Sequence, residues 1–113
     1  MKSRKALKEA YKQQKALMGI FQIRNKVTGK VLIEGSKDIP ARWNRIRMEL
    51  KFGNHRNKAL QKDWQQQSAE DFEISILSKY TVEEGENVNL NEELSTLKEM
   101  VIEEMELTNI LKY

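Results

Sequence analysis

The chain has 113 residues, 39% of them apolar and 33% charged, with no cysteine, one histidine and a formal net charge of +3, which is chain enough for one compact domain and too little for two. The absence of cysteine excludes a disulfide framework and a Cys-based zinc site, and His55 alone is too little for a His-cluster metal site or a Ser-His-Asp triad. No apolar run approaches the roughly 20 residues of a membrane span and the basic N-terminus lacks the apolar core of a signal peptide, so the expectation is a soluble, cytoplasmic domain with no membrane partner.

Residues 3–17 predict an amphipathic helix, with Leu7, Ala10, Tyr11, Gln14 and Leu17 on one stripe and lysines over the rest. Met18 to Asn25 alternates in the manner of a strand, and Lys30 to Glu34, centred on Val31-Leu32-Ile33, predicts a second. Between them Asn25 to Gly29 supplies turn chemistry, so the pair reads as a hairpin. Ser36 and Asp38 precede a helix with Pro40 in its first turn, where a missing N–H costs little. Ile39, Trp43, Ile46 and Leu50 repeat at helical spacing, and Gly53 stops the helix. A further helix runs from about Asn57 to Gln67 on Leu60 and Trp64. Asp71 to Ser78 predicts a third strand, with Phe72, Ile74 and Ile76 alternating against Glu73 and Ser75. Residues 81–89 are polar and acidic and read as a loop. From Leu90 a long helix turns Leu94, Leu97, Val101 and Met105 inward. A three-stranded sheet cannot bury its apolar face alone, so the helices must cover it. The expected architecture is α+β: a small three-stranded antiparallel sheet flanked by helices.

Charge is unevenly distributed. Residues 1–62 hold 17 Lys and Arg against 4 Asp and Glu, whereas residues 63–113 hold 3 against 13. Two arrangements satisfy this pattern. The basic part is a footprint for phosphates, or the acidic part folds back to neutralise it, within one chain or between two.

Six segments in order resemble GIY-YIG nuclease domains. They are Gly19-Ile20-Phe21-Gln22-Ile23-Arg24-Asn25, then Thr28-Gly29-Lys30-Val31-Leu32-Ile33, then Asp38-Ile39 with Arg42-Trp43-Asn44. Gly53-Asn54-His55-Arg56-Asn57-Lys58 with Leu60-Gln61 and Trp64 follows, then Glu70-Asp71-Phe72-Glu73-Ile74, and last Leu94 with Leu97-Lys98-Glu99 and Ile102. The resemblance spans about residues 18–105. It makes 18–80 a GIY-YIG-like core, 1–17 an extra N-terminal basic helix, 81–89 an acidic loop and 90–113 a C-terminal helix completing the domain. It also implies a chemistry, the hydrolysis of a nucleic-acid phosphodiester, DNA rather than RNA. One carboxylate would hold Mg²⁺ or another divalent cation as Lewis acid. An Arg would stabilise transition-state charge, and Tyr and His side chains would handle the attacking water.

Carried over residue by residue, that set is damaged. Phe21 and Leu32 stand where the resemblance implies tyrosines, Ile46 where it implies a His, and Glu34 where it implies a Gly. Arg42 is kept, His55 matches a His or polar position, and Glu99 is the expected metal carboxylate. The groups that would bind phosphate survive better than those that would activate water. The expectation is a nucleic-acid-binding module, through Arg42, Arg45 and Lys58, with impaired or absent endonuclease activity. The alternatives are a fold-only interaction or regulatory module, with a homodimer formed through the apolar stripe of Met100, Val101, Ile102 and Met105, and an active divergent endonuclease. Each residue also has a plain reading: Arg42 as a salt-bridged helix arginine, Glu99 as one more acid on an acidic helix, Trp43 and Trp64 as core packing.

Overall fold

A computed structural model describes residues 17–82 and 89–113. The N-terminal basic helix, apart from Leu17, and residues 83–88 of the acidic loop lie outside the described residues. The elements are β1 (Gly19–Asn25), β2 (Lys30–Ser36), α1 (Ile39–Lys51), α2 (Lys58–Gln66), a 3₁₀ turn (Ala69–Asp71), β3 (Phe72–Lys79), α3 (Leu90–Glu106) and β4 (Leu111–Lys112).

The hairpin is closed by Asn25. Its backbone oxygen accepts from the Gly29 N–H at 2.7 Å, and its side-chain Oδ1 accepts from the Val27 and Thr28 N–H groups at 3.0 and 3.3 Å. Gly29 takes φ 80°, a left-handed conformation that costs a glycine nothing. Asp38 caps α1 by accepting from the Ala41 N–H at 3.1 Å, and Asn57 caps α2 by accepting from Leu60 at 3.1 Å. Ser68 and Asp71 exchange side-chain and backbone bonds around the 3₁₀ turn that leads into β3.

The sheet order is β3-β1-β2-β4, with β1 antiparallel to both neighbours and β4 parallel to β2. This corrects the expected three-stranded antiparallel sheet: there are four strands, in a mixed sheet. The fourth comes from the segment assigned to the C-terminal helix. That helix ends at Glu106, Thr108 Oγ1 donates to the Met105 carbonyl at 2.7 Å, and Asn109 turns the chain with φ 56°. Leu111 and Lys112 then pair with Lys30 and Val31, and the Tyr113 N–H donates to the Val31 carbonyl at 2.9 Å.

Strand alternation divides the core between the two faces of the sheet. Phe21 and Ile23 of β1, with Phe72 of β3, pack under α1 and α2 against Ile39, Ile46, Leu50 and Leu60. Ile20, Val31 and Ile33 face α3 and meet Leu97, Val101, Ile102 and Met105. Burying each such side chain contributes about 1.5–3 kcal/mol. The expected alternation of β3 breaks near its end. The β1–β3 register shifts between Ile20 and Phe21, so that Ile20 pairs with Ser78 and Phe21 with Ile76. The extra residue, Leu77, turns towards α3, and Ile76 is left 36% exposed.

Candidate functional site

Arg42 lies one turn into α1, where the Asp38 cap orients the helix against the edge of β2. Its Nε and Nη2 both donate to Glu34 Oε1 of β2, at 3.2 and 3.0 Å, and its Nη1 lies 3.5 Å from Glu49 Oε1. Glu34 therefore fills the space beside Arg42. With its side chain 14% exposed and that of Arg42 24% exposed, the pair is substantially desolvated.

The three positions at which the resemblance implies two tyrosines and a histidine converge. Phe21 pairs with Glu34 across β1 and β2. Phe21 and Ile46 are fully buried in the core beneath α1, and the half-buried Leu32 packs against the same cluster. Where the resemblance implies hydroxyls and an imidazole around a water, this chain has a continuous apolar wall that carries no proton to exchange.

His55 sits between α1 and α2 and is 2% exposed. Its backbone N–H donates to Gln61 Oε1 at 2.9 Å, and Gln61 Nε2 in turn donates to the Leu50 carbonyl at 2.9 Å. The ring Nδ1 accepts from the Asn57 N–H at 3.0 Å. A neutral imidazole with Nδ1 accepting carries its proton on Nε2, and that atom is buried with no partner.

Two adjoining cavities open along this edge. The larger, about 670 Å³, lies between the start of α1, the end of β2 and α3; the smaller, about 310 Å³, runs past Leu32 to His55. Glu34, Arg56 and Lys98 line both. The larger also collects Lys37, Arg42 and Arg45, against Asp38, whose carboxylate is engaged as the α1 cap. The result is a groove with a positive rim. Lys58, at the first position of α2, is exposed and lines neither cavity.

Glu99, expected to bring a metal carboxylate, is exposed on α3 and lines neither cavity; the α3 side chain that lines both is Lys98, one residue earlier. Lys98 and Arg56 were the residues that sequence reasoning passed over. Helical spacing held the signal, since Asn91, Leu94, Ser95 and Lys98 recur at i, i+3, i+4, i+7 and share the larger cavity. Among the described residues, no three His, Cys, Asp or Glu side chains come together closely enough to hold a metal ion. Three of the four residues expected at a dimer face, Val101, Ile102 and Met105, pack on the sheet, which leaves Met100 55% exposed. Among the described residues no helix is long and apolar enough to cross a membrane.

Two solved structures resemble the chain. One is the catalytic domain of the intron endonuclease I-TevI, solved as a variant, with 28% identity and a TM-score of 0.65 over 78% of this chain and 82% of that one. The other is the catalytic domain of the homing endonuclease I-TevI, with 28% identity and a TM-score of 0.62 over 77% and 86%. No family model matches the sequence, and no curated protein matches it.

Proposed function

We propose that this chain, a nuclease-like protein with a GIY-YIG-like fold, binds nucleic acid, DNA rather than RNA, and has impaired or absent endonuclease activity. The observation that carries the reading is the groove itself. Lys37, Arg42, Arg45, Arg56 and Lys98 border it, and both of its carboxylates are engaged, Glu34 by Arg42 and Asp38 by the start of α1. Such a surface attracts a phosphate backbone by charge alone. Beside it, Phe21, Leu32 and Ile46 offer no general base, a role worth about 10² to 10⁴ in rate.

The test is binding of a labelled duplex oligonucleotide followed by fluorescence anisotropy over a salt series. Affinity should fall steeply with salt, and replacing Lys37 and Arg45 together by Ala, both of which line the groove, should weaken binding and flatten the slope by about two counterions. Affinity unchanged in that double variant would count against the groove. Arg42→Ala is a poorer probe, because it leaves Glu34 buried beside an empty position. Plasmid incubated with wild type and Mg²⁺ or Mn²⁺ should be nicked no faster than in EDTA; a clear difference would establish residual metal-dependent cleavage.

One observation favours a second reading, an interaction module that kept only the fold. Met100 stands exposed beside a cleft of about 280 Å³ between β3 and α3, bordered by Leu77, Leu97 and Met105. Light scattering decides its self-association form, which a strict monomer rules out.

A further inference from the structure

The fold's chemistry calls for a divalent cation, and the residues here do not fit one. Glu34, the carboxylate that reaches both cavities, gives one oxygen to two nitrogens of Arg42. Asp38 is spent on its cap, and Glu99 lies outside the groove. In place of a carboxylate cluster stand two cations, Arg56 and Lys98, neither of them in any ion pair among the described residues. His55 also lines the smaller cavity, and its Nε2–H is buried with no acceptor within the protein. An unmet buried donor costs about 1–3 kcal/mol, a cost that an oxyanion drawn in from that cavity to Nε2 would remove. Two unpaired cations and an orphaned N–H around one space are the donor set of a phosphate site.

The geometry points to a metal-independent phosphate site, formed by Lys98, Arg56 and His55 Nε2–H, that holds a phosphodiester of nucleic acid with an ammonium group doing the charge neutralisation of a divalent cation. The inference rests on the nucleic-acid reading above and sharpens it. An ammonium neutralises phosphate charge and donates up to three hydrogen bonds, but it cannot lower the pKa of a bound water as a metal does. Holding without cutting follows from that one exchange. The neutral His55 contributes a hydrogen bond and no charge. The charged groups that line the same cavity are Glu34 of β2, Arg56 of its own segment and Lys98 of α3.

The experiment uses the full chain with a fluorescein-labelled duplex oligonucleotide, in EDTA and in Mg²⁺. Binding should persist in EDTA at undiminished affinity. Lys98→Gln and Arg56→Gln should each weaken it about tenfold, as expected for loss of a charge-assisted contact, while circular dichroism and the thermal midpoint stay near wild type. Because His55 is buried and its replacement could disturb the fold, its part is read without mutation. The side-chain ¹⁵N–¹H spectrum of the wild type in EDTA should shift at His55 Nε2 on addition of oligonucleotide, and of inorganic phosphate at higher concentration. Binding that vanishes in EDTA and returns with Mg²⁺ overturns the metal-free site and leaves the nucleic-acid reading standing. So does full affinity in both Gln variants. No oligonucleotide binding in either buffer, with the inorganic phosphate shift at His55 retained, overturns the nucleic-acid reading and leaves a phosphate site. Loss of both signals overturns both.

Discussion

At Phe21 the side chain is fully buried in the cluster that also holds Ile46 and Leu32, and its cross-strand neighbour Glu34 is already paired with Arg42, so a hydroxyl added to that ring enters a packed interior. Phe21→Tyr should therefore cost about 1–3 kcal/mol of stability, the penalty of a buried hydroxyl without a reliable partner, and confer no nicking activity. Urea denaturation with a parallel plasmid assay checks both halves. A Phe21→Tyr protein as stable as wild type would mean that the wall contains room and polarity the structure does not display. The identities at positions 21, 32 and 46 were open to inspection in the sequence, because the surrounding motifs anchor them. Their burial depth was not, since it depends on three elements meeting across the β1–α1 interface. A salt-bridged Arg42 was legible in the sequence, and its partner is Glu34, eight residues earlier across a strand-to-helix turn. Its extension to Glu49 follows only from the rotation of α1.

Among the elements, β1 is the most constrained. Gly19 opens it with φ 150°, and a Cβ there would meet the Ser78 backbone oxygen of β3 at 2.0 Å. Asn25 closes it, fully buried, with Nδ2 donating to Gln67 Oε1 at 2.6 Å and to the Tyr113 hydroxyl at 2.9 Å, while Oδ1 accepts from the turn and from Gln67 Nε2 at 3.1 Å. One side chain thus ties the hairpin, the end of α2 and the C-terminal strand. Asn25→Ala should cost roughly 3 kcal/mol, because several buried polar groups lose a partner together. Asn25→Asp should also destabilise, since it sets a carboxylate near Asp63 and removes the donors. Thermal denaturation of both variants is the measure, and a loss below about 0.5 kcal/mol would show the network to be ornamental. Helix α3 teaches a complementary lesson. Its period and apolar stripe were readable, but the choice between Lys98 and Glu99 as the groove-facing charge is a rotation of about 100°. Adjacent charged residues give no pattern by which to make it. Strand β4 was illegible for another reason: two residues carry no alternation, and their pairing is made by backbone atoms alone.

At the scale of the molecule, the two charge classes remain largely apart among the described residues. Of the four ion pairs among the described residues, Arg24–Glu73 alone joins the basic first part of the chain to the acidic second part, at 3.4 Å with both side chains half exposed. Such a pair contributes little. The acids of α3 face solvent, so among the described residues they leave the rim of the groove positive. What closes the molecule is instead a hydrogen-bonded contact. Tyr113 follows β4, donates its hydroxyl proton to Asp63 Oδ2 of α2 at 2.7 Å and accepts from Asn25 of β1. Burial, together with the bond to Asp63 and its charge, pushes this phenol up from about 10 to about 12. The folded state thus prefers the protonated form. The contribution is fully present below pH 10, where the unfolded phenol also keeps its proton, and is lost as pH rises through about 12. Denaturation midpoints between those two values should therefore fall more steeply in wild type than in Tyr113→Phe, which has no proton to lose, and the two curves should converge at the alkaline end. Parallel curves would mean that the hydroxyl reaches solvent freely and that β4 is held by its backbone pairing with β2 rather than by the Asn25–Asp63–Tyr113 network.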